Sequence, residues 1–145
     1  MSKVIAIDPG ISKCGLVIAD IKEKKVHQAI VIKSNLLLNC VEKICQKEDK
    51  LLILIGNGTS SKNHIKALKK IVQNIVIAEE KNSSYRAKQR YFELFPLKGI
   101  RSFLPREIFI LNKNLDALAA LIILEDHYKY KFDITEIIGI KTWLK

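Results

Sequence analysis

The chain has 145 residues, 48% hydrophobic and 28% charged, which fits a single globular domain over residues 1–145 and excludes a disordered chain. Its longest apolar runs, residues 51–55 and 117–124, are too short to cross a bilayer, and the N-terminus enters a strand-like run with no signal-peptide pattern, so a cytoplasmic protein without membrane contact is expected. The 25 basic against 15 acidic residues leave a net charge of +10, which favours a polyanionic partner, although lysine-rich composition alone supplies much of that excess.

Residues 4–8 are a short apolar run closed by Pro9-Gly10, the pattern of a buried strand and a turn. Residues 15–20 and 26–33 read as two more strands, with lysine-rich residues 22–25 as the hairpin turn between them. Ser34 or Asn35 can cap a helix in which Leu37, Val41, Ile44 and Cys45 recur at helical spacing. Residues 51–55 are continuously apolar, as in strands covered on both faces. The loop of residues 56–61 leads into a helix with Ile65, Leu68, Ile71 and Val72 along one side; such a loop either caps the helix or offers N–H groups and hydroxyls to a phosphate. Residues 75–78 make a fifth strand ending at Glu79-Glu80. Ser83 or Ser84 starts a basic, aromatic helix reaching about Phe95, after which Pro96, Gly99 and Pro105 interrupt regular structure. Asn112 to Asn114 precede a last helix to about Tyr130, apolar nearly all round and therefore buried. Residues 131–145 read equally as an edge strand, a helix or a partner contact. This order predicts an α/β fold: a five-stranded mixed sheet, order 3-2-1-4-5 with the third-strand edge antiparallel, and helices on both faces.

Three carboxylates lie where an apolar element ends or begins: Asp8 after the first strand, Glu80 after the fifth, and Asp116 in the first turn of the last helix if Asn114 caps it. Ligands of open α/β sheets gather beyond the carboxyl ends of the strands. Hard divalent cations need such oxygen donors, and a pair of them can clamp both oxygens of a phosphodiester displacement. Each acid also has an ordinary explanation. Aspartate before Pro-Gly is a turn former, Asp116 would favour a helix N-terminus by about 0.3–1 kcal/mol, and Glu79 and Glu80 suit a solvated strand exit. All four arginines (Arg86, Arg90, Arg101, Arg106) fall within 21 consecutive residues, with Tyr85, Tyr91, Phe92 and Phe95 among them. Guanidinium grips phosphate bidentately, so this cluster is the candidate nucleic-acid face, and Lys13 after the first motif can reach a phosphate. His27, His64 and His127 lack ligand spacing and read as surface residues. Cys14, Cys40 and Cys45, odd in number and without metal spacing, read as reduced thiols in the core.

Asp8-Pro9-Gly10 with Gly15, the strand 76–78 running into Glu79-Glu80-Lys81 and Ser83-Ser84, and the run from Leu115-Asp116 to Leu124 together resemble the ribonuclease-H-like superfamily of RuvC resolvases and YqgF-type nucleases over about residues 3–128. The resemblance implies a ribonuclease-H-like fold. It also implies an acidic triad of Asp8, Glu80 and Asp116 that binds Mg²⁺ or Mn²⁺, with hydrolysis by an activated water and no protein nucleophile. RuvC resolvases place their second acid at the end of strand four, where this chain has Gly56-Asn57, and carry another shortly before the last-helix aspartate, near Lys113 here. Both departures favour the YqgF side, with ribosomal RNA maturation as the implied role, while Pro9 is RuvC-like and the strand-four loop lacks the proline usual in YqgF proteins. Glu79 and Lys81 stand where YqgF proteins have Asp and Arg, and Glu79 remains the alternate second acid. A resolvase of branched DNA and a catalytically silent nucleic-acid-binding module are the competing readings. The partner is nucleic acid in each, RNA or branched DNA, and pairing of two copies as a homodimer stays open.

Overall fold

The computed structural model describes residues 3–48, 50–58, 60–79, 83–94, 112–134 and 141–143. Strands β1 (Lys3–Asp8), β2 (Lys13–Asp20) and β3 (Lys25–Lys33) form an antiparallel meander. β4 (Leu52–Gly56) adds parallel to β1, and β5 (Ile75–Ala78) parallel to β4. The predicted order of these five strands is therefore observed. A further strand, β6 (Lys141–Trp143), pairs in parallel with residues 30–32 of β3, extending the sheet to β5-β4-β1-β2-β3-β6. The antiparallel third strand is thus not the outer edge there: β6 takes up backbone groups that β3 would otherwise present to solvent.

Helices α1 (Leu37–Lys47) and α2 (Ser61–Leu68) cover one face, and α4 (Asn112–Tyr128) the other, with α3 (Ser83–Leu94) packed on α4. Strand alternation sorts the side chains by size. Ile5, Ile7, Leu16, Ile30, Ile32, Ile53 and Ile55 meet Leu37, Val41, Ile65 and Leu68 in one layer. Val4, Ala6, Val17, Ala19, Ala29, Val31 and Leu54 face α4 in the other. Small residues on that face let the helix come close, and residues 117–124 of α4 are buried without exception. At Gly15 of β2 the two backbones leave no room for a side chain: a Cβ would lie 1.7 Å from the Asp116 carbonyl oxygen and 2.8 Å from the Ala117 nitrogen.

Several boundaries differ from the expected ones for physical reasons. Ser34 does not cap α1: a 3₁₀ turn, Ser34–Leu36, comes first, and the Ser34 hydroxyl is used elsewhere. α2 stops at Leu68, so Ile71 and Val72 lie in the turn after it. α4 stops at Tyr128 because Lys129 takes a left-handed conformation (φ 63°) while its N–H still donates to the Glu125 carbonyl.

The segment after α4 is fastened to the fold by α3. Arg90 reaches both carboxylate oxygens of Glu125 (3.1 and 3.2 Å) and the Phe132 carbonyl (3.1 Å), and Glu125 accepts the Phe132 N–H at 2.8 Å. Phe132 is buried, and Asp133 exchanges backbone hydrogen bonds with Lys24 and Val26 of the hairpin. Arg86 makes a two-pronged pair with Asp126 beside this.

Gly15→Ala is expected to destabilise the protein by about 1–3 kcal/mol or more, because backbone and not a flexible side chain blocks the new methyl; chemical denaturation measures this. Arg90→Ala, which strands the Glu125 carboxylate in a buried setting, is expected to cost about 3–5 kcal/mol. Arg90→Ala with Glu125→Leu should recover part of that loss in the same assay.

Candidate functional site

β1, β4 and β5 are parallel, so their carboxyl ends share one rim of the sheet, with Ile7 level with Ile55 and Gly56 level with Ala78. Asp8 closes β1 at this rim. It follows Val4 and Ala6 in the strand alternation and so belongs to the face that α4 covers. Its cross-strand partner is Gly15, the residue on which the Asp116 backbone rests. The backbone of Asp116, far from Asp8 in sequence, thereby lies beside the ladder partner of Asp8.

Both are half-buried. Burial raises the Asp116 carboxyl above the ordinary aspartate range, with the Lys13 charge acting in the opposite direction. Cys14 lies underneath. Burial pushes its thiol up, Ser34 and the Gly10 backbone pull it down, and Asp8 and Asp116 then both add to the rise, so the two carboxylates act on one point. Asp116 does not occupy the first turn of α4, which begins at Asn112 and has no acid there. A simple helix-dipole role therefore does not explain it, since that effect fades beyond the first turn.

Glu80 lies outside the described residues, as do Arg101 and Arg106. Glu79 is described, exposed just past β5. Gly56, level with Ala78 at the end of β4, offers no side chain to the rim.

The turn that carries Asp8 is held from two sides. The Gly10 carbonyl accepts from the Ser34 hydroxyl at 2.8 Å and faces His64 Nε2 of α2 at 3.3 Å. Gly10 itself is packed so tightly that a Cβ would sit 2.1 Å from the Lys13 carbonyl oxygen. Sequence reasoning placed His64 on the surface and Ser34 at a helix cap; no local pattern signals these roles, because both contacts join segments distant in sequence. The loop of residues 56–61 serves the fold: Asn57 N–H donates to Ala78, and the buried Ser61 bonds the Gly58 carbonyl through its hydroxyl (2.7 Å) and its N–H (3.1 Å). Thr59 is outside the described residues. These bonds are those of a helix-starting turn.

Arg86 and Arg90, expected on the nucleic-acid face, are joined to Asp126 and Glu125 in the ion pairs that fasten α3 to α4. Among the described residues, the group of three metal-type side chains within 4.8 Å of one another is Asp20, Glu23 and His27. It sits at the β2–β3 hairpin turn, at the other end of β2 from Gly15, and Asp20 there accepts the Glu23 N–H at 2.9 Å.

The strand order and directions are those of a ribonuclease-H-like fold. No family model and no curated protein matches the chain. Among solved structures it is similar to that of Thermus thermophilus RuvC (13% identity, 90% of this chain and 99% of that one, TM-score 0.49). It is also similar to T. thermophilus RuvC in complex with Holliday junction substrate (14% identity, 92% and 100%, TM-score 0.48).

The raised Asp116 carboxyl has a consequence for stability. With the folded value above the unfolded one, the folded state binds the proton more tightly, so stability is lost as pH rises through the window between them. Asp116→Asn removes that loss. It is expected to melt at a higher temperature than the parent at pH 7, with the advantage fading as pH falls below the ordinary aspartate range. Melting curves from pH 3 to pH 8 check this, and a variant less stable at pH 7 would contradict it.

Proposed function

We propose that this chain is a metal-dependent nuclease that hydrolyses phosphodiester bonds of nucleic acid, with Asp8, Glu80 and Asp116 holding Mg²⁺ or Mn²⁺. The observation that carries the reading is the meeting of Asp8 and Asp116 across Gly15, at the carboxyl rim of a mixed sheet. The donors suit the ion: carboxylate oxygens are hard ligands, and a carboxylate whose charge is disfavoured by burial gains from a cation. When bound, such an ion lowers the pKa of a water and stabilises charge on the phosphoryl oxygens. The chain's own part is to hold the oxygen donors at fixed spacing through the Gly15 contact and the braced Gly10 turn. Cys14 is buried with its thiol pushed up, so it stays protonated and does not act as a nucleophile.

The second acid we assign to Glu80. It stands in the run from residues 76–78 into Glu79-Glu80-Lys81 that resembles the YqgF strand end, with Glu79 as the alternate. Gly56 leaves the end of β4 without a carboxylate, which supports a YqgF-like arrangement and hence precursor ribosomal RNA as substrate.

Asp8→Asn is expected to reduce Mg²⁺- or Mn²⁺-dependent cleavage of structured RNA by at least about 100-fold, while its melting temperature and RNA binding in EDTA stay near those of the parent. Cleavage at the parental rate by this variant would remove Asp8 from the site. Cutting of a four-way DNA junction in preference to RNA would move the reading to a resolvase, and no cleavage of either by the parent would make the chain a silent binding module.

A further inference from the structure

We propose that the hollow bounded by Ile11, Ser12, Lys13, Lys33, Ser34 and Asn35 seats the phosphate backbone of a nucleic-acid strand leading to the Asp8–Asp116 pair. This deepens the nuclease reading and rests on it for the direction of the strand, but the binding it claims is measurable without cleavage. The first argument is a charge conflict. Lys13 and Lys33 are directly opposite each other in the antiparallel β2–β3 ladder, so two ammonium-bearing side chains leave the same face side by side. Like charges at such a pair are destabilising, and a bound polyanion relieves the conflict. Lys33 is exposed, and no acidic side chain lines the hollow among the described residues.

The second argument is position. Lys13 and Lys33 alternate with Gly15, Val17, Ala29 and Val31, the residues under α4, so they share the face of Asp8 and Asp116. Along the rim the order is Lys33 on β3, Lys13 on β2 and Asp8 on β1, about 4.8 Å per strand. The Lys13 charge already acts on Asp116. A strand whose cleaved phosphate lies at the two aspartates can thus run its flanking phosphates past the two lysines.

The lining fits the same occupant. The space measures about 520 Å³, with the exposed Ser12 and Asn35 as hydrogen-bonding groups. Ile11, 87% exposed in the turn directly after Pro9-Gly10, gives a sugar or base an apolar surface. Ammonium groups act on phosphate as point charges, so this contact positions the strand without reading its sequence.

The test is anisotropy binding of the full chain to fluorescent single-stranded and duplex oligonucleotides in EDTA, over a salt series. Lys33→Ala is expected to weaken binding about five- to tenfold at 0.1 M salt, to a similar extent for unrelated sequences. It should also reduce the slope of log K against log salt by about 0.7–0.9. Its melting temperature at low salt should equal or exceed the parent's, since the like-charge pair is gone; Lys33→Gln should behave in the same way. Unchanged affinity and slope in both variants would overturn the proposal, as would an acidic peptide that competes as well as the oligonucleotides at equal charge. Loss of binding in the Lys33 variants together with failure of the parent to cleave any substrate would sink the nuclease reading and leave this surface standing.

Discussion

At Gly15 the α4 backbone lies against β2 with no room for even a methyl group, and the geometry of both the core and the rim depends on that contact. A helix this close to a sheet needs small side chains beneath it, and Ala6, Ala19 and Ala29 supply them while the opposite face carries the isoleucines. The same closeness fixes the height of Asp116 above the sheet. Because Gly15 is also the ladder partner of Asp8, one backbone contact sets the relation between two carboxylates whose positions are far apart in the chain. Packing and chemistry are therefore not separable here: a larger residue at position 15 would shift the helix and with it the acid.

α4 carries two carboxylates raised by burial, and their surroundings show two uses of the same residue type. Glu125 is answered from within the fold, by the Arg90 guanidinium and the Phe132 N–H, and so serves as a fastening for the segment that leads toward β6. Among the described residues, the burial of Asp116 is offset by the field of Lys13 rather than by a hydrogen-bonded partner. A carboxylate that the fold leaves under-compensated at a strand-end rim is the kind of group that a cation improves, whereas Glu125 has its compensation built in.

Much of the sheet was legible in the sequence because its signals are local. Continuous apolar runs, the Pro9-Gly10 break and the lysine-rich hairpin define strands β1 to β5 without reference to tertiary structure. The strand β6 was not legible, since three residues pairing with β3 carry no periodicity of their own. Nor were Ser34 and His64, whose bonds to Gly10 exist only once the end of β3 and the helix α2 have folded beside the first turn. At the rim, Asp8 and Asp116 stood out by position, and the Asp116 backbone packs on Gly15, the ladder partner of Asp8. The proposed second acid, Glu80, is marked in the sequence by its motif alone, and it falls outside the described residues.

The charge of the chain illustrates why composition cannot locate a binding face. A net +10 and the arginines between positions 86 and 106 both pointed toward phosphate recognition there. Yet the planar, two-pronged geometry that suits guanidinium to phosphate suits it equally to carboxylate, and Arg86 and Arg90 are taken by Asp126 and Glu125. Pairs of this kind reduce what Arg86 and Arg90 add to the external field, while Arg101 and Arg106 lie outside the described residues. The lysines Lys13 and Lys33 differ in the relevant respect: the ladder sets them directly opposite each other on one face of the sheet. Positive charge that the fold neutralises is structural, and positive charge that the fold crowds together beside a pair of carboxylates is where a polyanion has most to gain by binding.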